Sequence, residues 1–509
     1  MYKMRRFTSL VLALGFATTV MLSGCGKSEE PAGGATPTAA AKKTLDPYTI
    51  DWYMGASLTF KDQTVIEEEV AKHLKDKINV QLKLHLINWG EYFTKMQTLL
   101  ATNEKVDIMW INQGNGFHNY VAREQLNDLT EAFPKYAPKL YKKMNPVFIE
   151  GAKVAGKLYG IPANKEVAQT YGISFIKKYL TKHNLDGSKV KTLEDLEPML
   201  KTIKEKEPDV IPFFMKNTSS VTDPAFRYEH IGDTKVPGAI EIKSKDYKVI
   251  NTVEQASQMA TWKLARKWYL AGYINKDAAT LKDQKPFDNG LTFTQGFSTG
   301  LSPFTDGKLP NGDDTVAYIL MKYANGNSVL GSINMFPKSG KNLERTLMFV
   351  EEYGNDEYLA NLINFGRKDI DYVVDNENPK HVKYPAGKAQ KDVGYSLNAA
   401  WETGFDWFIT YPQNSEPTNR NEYIKKFNEV NVTVSPILGF VFDTEPVKNE
   451  MAAIRNVYDQ YAPTLNTGSV DPEEVAPKYL AALKQAGVDK VIAEKQKQLD
   501  EWVKKNNKK

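Results

Sequence analysis

"NVQLKLHLINWGEYFTKMQTLLATNEKVDIMWIN", residues 79–112, holds three different rhythms in one run. Val80, Leu82, Leu84 and Leu86 alternate with other residues, the period of a half-buried strand. Tyr92, Met96 and Leu99 then recur at helical spacing over 91–101, and "VDIMWIN" (106–112) closes the run as a short apolar strand. Upstream, "YTIDWYMG" (48–55) reads as another strand, rich in aromatic and β-branched residues and closed by a glycine. Between the two, Ile66, Val70 and Leu74 recur every four residues from Asp62 to Lys77. Glu67 to Glu69 lie near the start of that stretch and Lys72, Lys75 and Lys77 near its end, the polarity a helix dipole favours. The order is β-α-β-α-β.

Crossovers of this kind are right-handed and join parallel strands, so the three carboxyl ends emerge along one edge of the sheet. Open α/β sheets bind their ligands at that edge. The residues delivered there are Tyr53 to Ser57 after the first strand, Asn88 and Trp89 after the second, and Trp110, Asn112 and Gln113 after the third. Amides both donate to and accept from hydroxyls, and an indole face packs on the C–H face of a sugar ring. The set therefore suits a polyhydroxylated solute. A tryptophan at a strand end is more often a core residue than a platform, and the spacing leaves both roles open.

Downstream, "GKLYGIPANKEV" (156–167) is an extended segment punctuated by Gly and Pro, suited to crossing between lobes with a hinge near Pro162. Helical patterns around 174–184, 192–206 and 253–271 describe a second α/β lobe. "QGFSTGLSPFTDG" (295–307) reads as a loop system, either binding or connecting. "NAAWETGFDWFITYPQNSEP" (398–417) carries Trp401 and Trp407 in an irregular stretch that presents an indole to a ligand or fills a core corner. "PILGFVFDTEPVKNEMAAI" (436–454) reads as a buried strand running into a helix, with Asp443 or Thr444 as its cap. The helices after it, built on Val447, Met451 and Ile454, then Val475, Leu480 and Leu483, then Ile492, Leu499 and Trp502, look architectural.

The amino end carries Lys3, Arg5 and Arg6 and then an apolar run of about 16 residues, shorter than the ~20 that span a bilayer. After it, Leu22-Ser23-Gly24-Cys25 resembles the lipobox of bacterial lipoproteins, which makes Cys25 the acylated first residue of the mature chain. It is the single cysteine among 509 residues. No thiol then remains for disulfide, metal or catalytic work. "KSEEPAGGATPTAAAKK" (27–43) has the composition of a flexible tether. A net charge of +4, with interspersed signs, gives no nucleic-acid footprint.

The succession of lipobox, tether, "DQTVIEEEVAKHL", "WGEYFTKMQTLLATNEKVDIMW", "LYGIPANKE", "FPKSGKNLERTLMFVEEYGNDEYLANLINFGRKD" and "GFVFDTEPVKNEMAAIRNVYDQYAPTLNTGSVDPEE" resembles the family 1 extracellular solute-binding lipoproteins of ABC importers. The closing segment is similar to an extra C-terminal module of one branch of that family. The resemblance implies an α/β, two-lobed fold of the periplasmic-binding-protein type II kind, with a hinge between the lobes and a helical C-terminal region. The expected organisation is a signal peptide over 1–24, a lipidated tether over 25–45, and an N-terminal lobe from 46–162 plus about 316–366. The C-terminal lobe and its helical module are expected from 163–315 plus about 367–509.

The family's commonest ligands are sugars or oligosaccharides. The resemblance supports Trp110 to Gln113 as cleft lining and adds Trp401, Trp407 and Asp443. It implies a monomer on the extracytoplasmic face of the bacterial membrane, working with the importer's membrane subunits and the bilayer, without cofactor, metal, catalytic activity or nucleic acid. Two rivals stand beside this reading. A surface glycosidase would need two carboxyl groups about 5–9.5 Å apart, and Asp443 with Glu445 are the candidates. A binding protein for a peptide or other non-sugar ligand would need fixed charges, whereas this edge offers mainly amides and indoles.

Overall fold

The computed structural model describes residues 45–112, 116–221, 227–299, 306–405, 407–411 and 419–506. Cys25 and Gln113 lie outside them, as does the side chain of Trp407. The first lobe is built on a five-stranded sheet in the order Val80–Asn88, Tyr48–Ala56, Ile108–Ile111, Ile333–Met335, Gly160–Pro162. Its first three strands are parallel, as the β-α-β-α-β pattern requires, and Ile333–Met335 runs antiparallel between Ile108–Ile111 and Gly160–Pro162. Helix Gln63–Leu74 buries Ile66, Val70 and Leu74, and helix Trp89–Ala101 buries Tyr92, Met96, Leu99 and Leu100. Asn88 caps the latter by accepting from the Gly90 N–H at 2.9 Å. Behind the sheet, Trp52 is fully buried with its ring centre 5.7–5.9 Å from those of Phe349, Tyr353 and Phe405.

The second lobe has a sheet in the order Asp306–Lys308, Asp314–Ala324, Gln169–Ile176, Thr292–Thr299, Ile211–Phe213, with Val432–Val434 added in parallel to Asp314–Ala324. Helix Leu193–Lys206 starts on a reciprocal Thr192–Asp195 capping box and buries Leu196, Leu200 and Ile203 against this sheet's core. Several segments here differ from the expectation. Residues 169–176 are strand and only Lys177–Lys182 is helix, because the run through Ile173 to Ile176 pairs on both sides. Thr292–Thr299 is a strand rather than part of a loop, with Gly296 at φ 78° where its register shifts. Residues 436–444 are not a strand: the chain turns at Pro436 to Gly439, and Gly439 takes φ 88°.

The lobe boundaries also differ from the expected ones. Asp314–Ala324 belongs to the second sheet, so the return to the first lobe begins near Asn325 rather than 316. Tyr395, Leu397, Phe405 and Phe427 pack in the first lobe's core, so much of 367–427 lies with the first lobe. Three chain segments cross between the lobes, and they are tied to one another. Ala163 N–H donates to the Ser332 carbonyl, Ser328 Oγ to the Val167 carbonyl, and the Asn428 side chain accepts from Val167 N–H and donates to the Lys165 carbonyl.

The chain ends in three helices, Lys448–Asn466, Pro472–Gln485 and Val488–Lys505. Met451, Ile454, Tyr479, Leu483 and Val488 form a core that takes in Val236 and Trp262 of the second lobe. The contact is close: a Cβ at Gly468 would collide with the Ala265 carbonyl oxygen, and Arg266 donates to the carbonyls of Gly468 and Ser469. Lys495 is buried and donates to the carbonyls of Val236 and Pro237 at 3.1 and 2.9 Å. No helix among the described residues is long and apolar enough to cross a membrane.

Candidate functional site

At the carboxyl edge of the first sheet three indoles meet. Trp89 and Trp401 stack with ring centres 5.9 Å apart and planes 25° apart, and Trp110 stands edge-on to both, 5.3 Å from each. Trp89 is seated against Gly55, where any Cβ would collide with the indole. Trp110 Nε1–H donates to Ser332 Oγ at 2.8 Å, and that hydroxyl donates to the Trp401 carbonyl at 2.6 Å. One relay thus links the third strand, a lobe-crossing segment and the short helix Ala400–Thr403.

Glu402 stands beneath this cluster. It is fully buried, and its Oε1 accepts the Gly55 N–H at 2.9 Å. Its Oε2 has no hydrogen-bond partner among the described residues. Burial pushes its carboxyl well above the usual carboxylate range, against the opposing pull of the Gly55 N–H. The Asn334 amide donates to the Glu402 backbone carbonyl at 3.0 Å, so the residue is held at both ends.

The expected edge residues divide accordingly. Trp89 and Trp401 come together, and Trp401, 42% exposed, offers an open indole face. Ser57 is exposed just past the first strand, and Asn112 is half-buried past the third. Trp110, only 2% exposed, supports the other two indoles and is no platform itself. Tyr53 is 9% exposed and stacks on His85 at 4.1 Å within the sheet, because it lies three residues before the strand's end. Asp443 takes no part in the edge: its carboxylate accepts the Glu445 N–H at 3.0 Å, while Gln498 bonds its backbone N–H and carbonyl. Glu445 pairs with Lys448 at 2.9 Å, so these two exposed carboxylates start a helix and do not face each other across a substrate.

Beside the aromatic cluster, and lined by Phe93 but by none of the three indoles, a cleft of about 1050 Å³ runs between the lobes. Phe93 joins the two: its ring lies 6.4 Å from Trp89 and 6.2 Å from Trp110, and it lines the cleft. The first lobe adds Gln97, His118 and Arg123, and the opposite wall adds Tyr228, Glu229 and His230. Burial raises the Glu229 carboxyl, against hydrogen bonds from Ser435 at 2.6 Å and Tyr323 at 2.5 Å. Burial lowers both His118 and His230 to about 4, leaving each a neutral imidazole with one N–H to offer and one lone pair to accept with. Farther along, Asp233 pairs with Arg455 of the C-terminal helices at 2.5 Å. Among the described residues no three His, Cys, Asp or Glu side chains converge as a metal site. Sequence spacing could not find the second wall. Tyr228 and His230 lie on a strand of only three residues, and only the tertiary fold turns them toward Phe93.

Two α/β lobes joined by three crossing segments, with a polar and aromatic cleft between them, define a solute-binding protein. The chain belongs to the bacterial extracellular solute-binding protein family, whose model matches residues 69–370, while residues 436–504 match a domain of unknown function, DUF3502. It is 29% identical over 443 residues to a carbohydrate ABC transporter substrate-binding protein of Streptococcus pneumoniae serotype 4, covering 85% of this chain and 87% of the relative. Among solved structures it is similar to the N-glycan transport solute binding protein NgtS of Streptococcus pneumoniae, at TM-score 0.75 and 27% identity over 90% of this chain and 99% of that one. NgtS in complex with Man1GlcNAc matches at TM-score 0.63 and 26% identity, over 90% of this chain and 100% of that one. The Man5GlcNAc complex matches at 0.60 and 27%, over 91% and 100%.

Proposed function

We propose that this protein captures an oligosaccharide in the interlobe cleft and delivers it to an ABC importer. The observation that carries the reading is the cleft wall, which sets Phe93, Tyr120 and Tyr228 among the amides of Gln97 and Asn119 and the imidazoles of His118 and His230, with the Trp89–Trp401 stack next to Phe93. Sugar rings present C–H faces to such planes and hydroxyls to such groups. The relatives support the class of ligand, since NgtS is described with Man1GlcNAc and with Man5GlcNAc bound. Ser57, Asn112, Gln113 and Trp407 are proposed as further contacts around the stack.

Capture couples to closure. A ligand that touches both walls binds the closed form better than the open one, and that difference in affinity shifts the hinge equilibrium. Acylation of Cys25 would hold the protein on the outer face of the membrane, with 27–43 as the leash that lets the lobes dock on the importer's membrane subunits. The cleft's chemistry favours binding without turnover, because Asp443 and Glu445 are spent on a helix start.

The test is calorimetric titration of residues 45–509 with N-glycan fragments, paired with X-ray scattering. Micromolar or tighter binding, about −8 kcal/mol or better, is expected together with compaction. Trp401→Ala is expected to weaken that binding by roughly tenfold or more, the loss of one aromatic platform. Binding without compaction, or binding indifferent to Trp401→Ala, would overturn the reading.

A further inference from the structure

The second-lobe wall of the interlobe cleft has a further hollow beside it, of about 370 Å³, and Tyr228, His230 and Thr234 line both spaces. One wall of the hollow is the helix Ala256–Leu270, through Ser257, Gln258 and Thr261. The other is the first C-terminal helix, through Tyr458 and Asn466, with Trp262 and Tyr479 behind. The volume falls within the ~300–1,000 Å³ typical of small-molecule sites. The matched solute-binding family segment stops at 370, so the Tyr458 wall belongs wholly to the segment matched as a domain of unknown function.

The hollow sets hydroxyls, the amides of Gln258 and Asn466 and aromatic faces together with the cations Arg227 and Lys235, and Trp262 Nε1–H at its back is paired, donating to Asn466 Oδ1 at 2.9 Å. That pairing fixes Trp262 and Asn466 as a rigid rear wall. His230 lines both spaces, and its buried Nδ1 has no hydrogen-bond partner among the described residues. A buried nitrogen without a partner is costly, and a ligand hydroxyl that reached it would satisfy it.

We propose that this hollow is a subsite for the sugar units of a longer or branched oligosaccharide beyond those held near the Trp89–Trp401 stack, which makes the C-terminal helices part of the binding site. The proposal rests on the oligosaccharide reading, and it makes the C-terminal module a selector of chain length. A short fragment is held by the cleft alone, whereas a longer one passes His230 and gains the Gln258–Tyr458 walls.

The experiment compares Man1GlcNAc and Man5GlcNAc, by calorimetric titration, on residues 45–509 and on the variants Gln258→Ala and Tyr458→Ala. Each variant is expected to weaken Man5GlcNAc by roughly five- to tenfold, the loss of one polar or aromatic contact, and to leave Man1GlcNAc within about twofold. Gln258 is partly exposed near the start of its helix, so Gln258→Ala keeps the test decisive if Tyr458→Ala loosens the module. Equal losses for both glycans, or no loss for either, would overturn the subsite while leaving the oligosaccharide reading intact. If the unmodified protein binds neither glycan, the oligosaccharide reading falls and the subsite falls with it.

Discussion

Glu402→Gln tests the floor of the site through a pH slope. In the folded chain the Glu402 carboxyl is fully buried, one oxygen accepts the Gly55 N–H, the other accepts nothing among the described residues, and burial drives its pKa well above 4.5. Between the unfolded pKa and the higher folded one, the native state holds a proton that the unfolded state has released. The stability this group contributes is therefore complete below the unfolded pKa and is lost as pH rises toward the folded one. The limiting slope is about 1.4 kcal/mol per pH unit. Glutamine keeps the Oε1 that accepts from Gly55 and has no proton to lose, so the slope disappears. Urea unfolding of both proteins, followed by tryptophan fluorescence at pH 5.5, 6.5 and 7.5, cancels every other titrating group in the difference. That difference should move in favour of Glu402→Gln as pH rises, by up to ~2.7 kcal/mol over the two units. Glu402→Leu serves as the contrast: it shares the loss of slope but removes the acceptor of Gly55 N–H, so it should lie about 1–3 kcal/mol below Glu402→Gln at every pH. A Glu402→Gln difference that stays flat from pH 5.5 to 7.5 would refute the idea that the buried carboxyl holds its proton.

Gly55→Ala should displace Trp89, because the new methyl would collide with the indole; overpacking of this kind costs about 1–3 kcal/mol, and calorimetry should show glycan affinity falling with it. Lys495→Met tests the clasp between the C-terminal helices and the second lobe: burial lowers this lysine to about 7 against an ordinary 10.5, so its native form sheds a proton that the unfolded chain keeps until higher pH. Its contribution to stability therefore rises from pH 7 toward 10, and denaturant titrations at pH 7 and pH 9 should show the methionine variant losing ground at the higher pH. There the neutral lysine still donates to the 236–238 loop, a loss of about 1–3 kcal/mol when the donor is removed.

What the sequence disclosed was whatever is decided locally. Ile66, Val70 and Leu74 mark a helix because each lies about one turn from the next, and Val80, Leu82 and Leu84 mark a strand because alternate side chains share a face. The three parallel strands, and hence the edge where Trp89 emerges, follow from that information and from the handedness of the crossovers. Trp110 and Trp401 are the same residue type at similar irregular boundaries, yet one is buried and the other exposed. The difference is made by Ser332, 222 residues beyond Trp110, which takes its indole N–H. Glu402 looks like a solvent carboxylate in "AWETG", and only the backbone of Gly55, 347 residues away, explains its burial. Asp443 and the 436–444 turn misled for the reverse reason: an apolar run beside Gly439 resembles a strand until the chain must bend at a positive φ.

The three crossing segments are tied to one another, which under the proposed closure would let the two walls move as rigid bodies. Asn428 holds the 165–167 segment with two hydrogen bonds, at 2.7 and 2.9 Å, and Ser328 holds the same segment with a third, at 2.8 Å. Hinges of this kind bend at a few residues while the packed elements on either side keep their contacts. The aromatic stack is anchored on the first-lobe side, since Ser332 and Glu402 join it to the third strand and to Gly55. The second hollow is anchored on the other side, since Trp262 and Lys495 bind the C-terminal helices to the second lobe. Closure therefore brings a fixed stack toward a fixed hollow, and the length of sugar that spans both, not the fit to either alone, sets how much of the ligand's binding energy is spent on shutting the cleft.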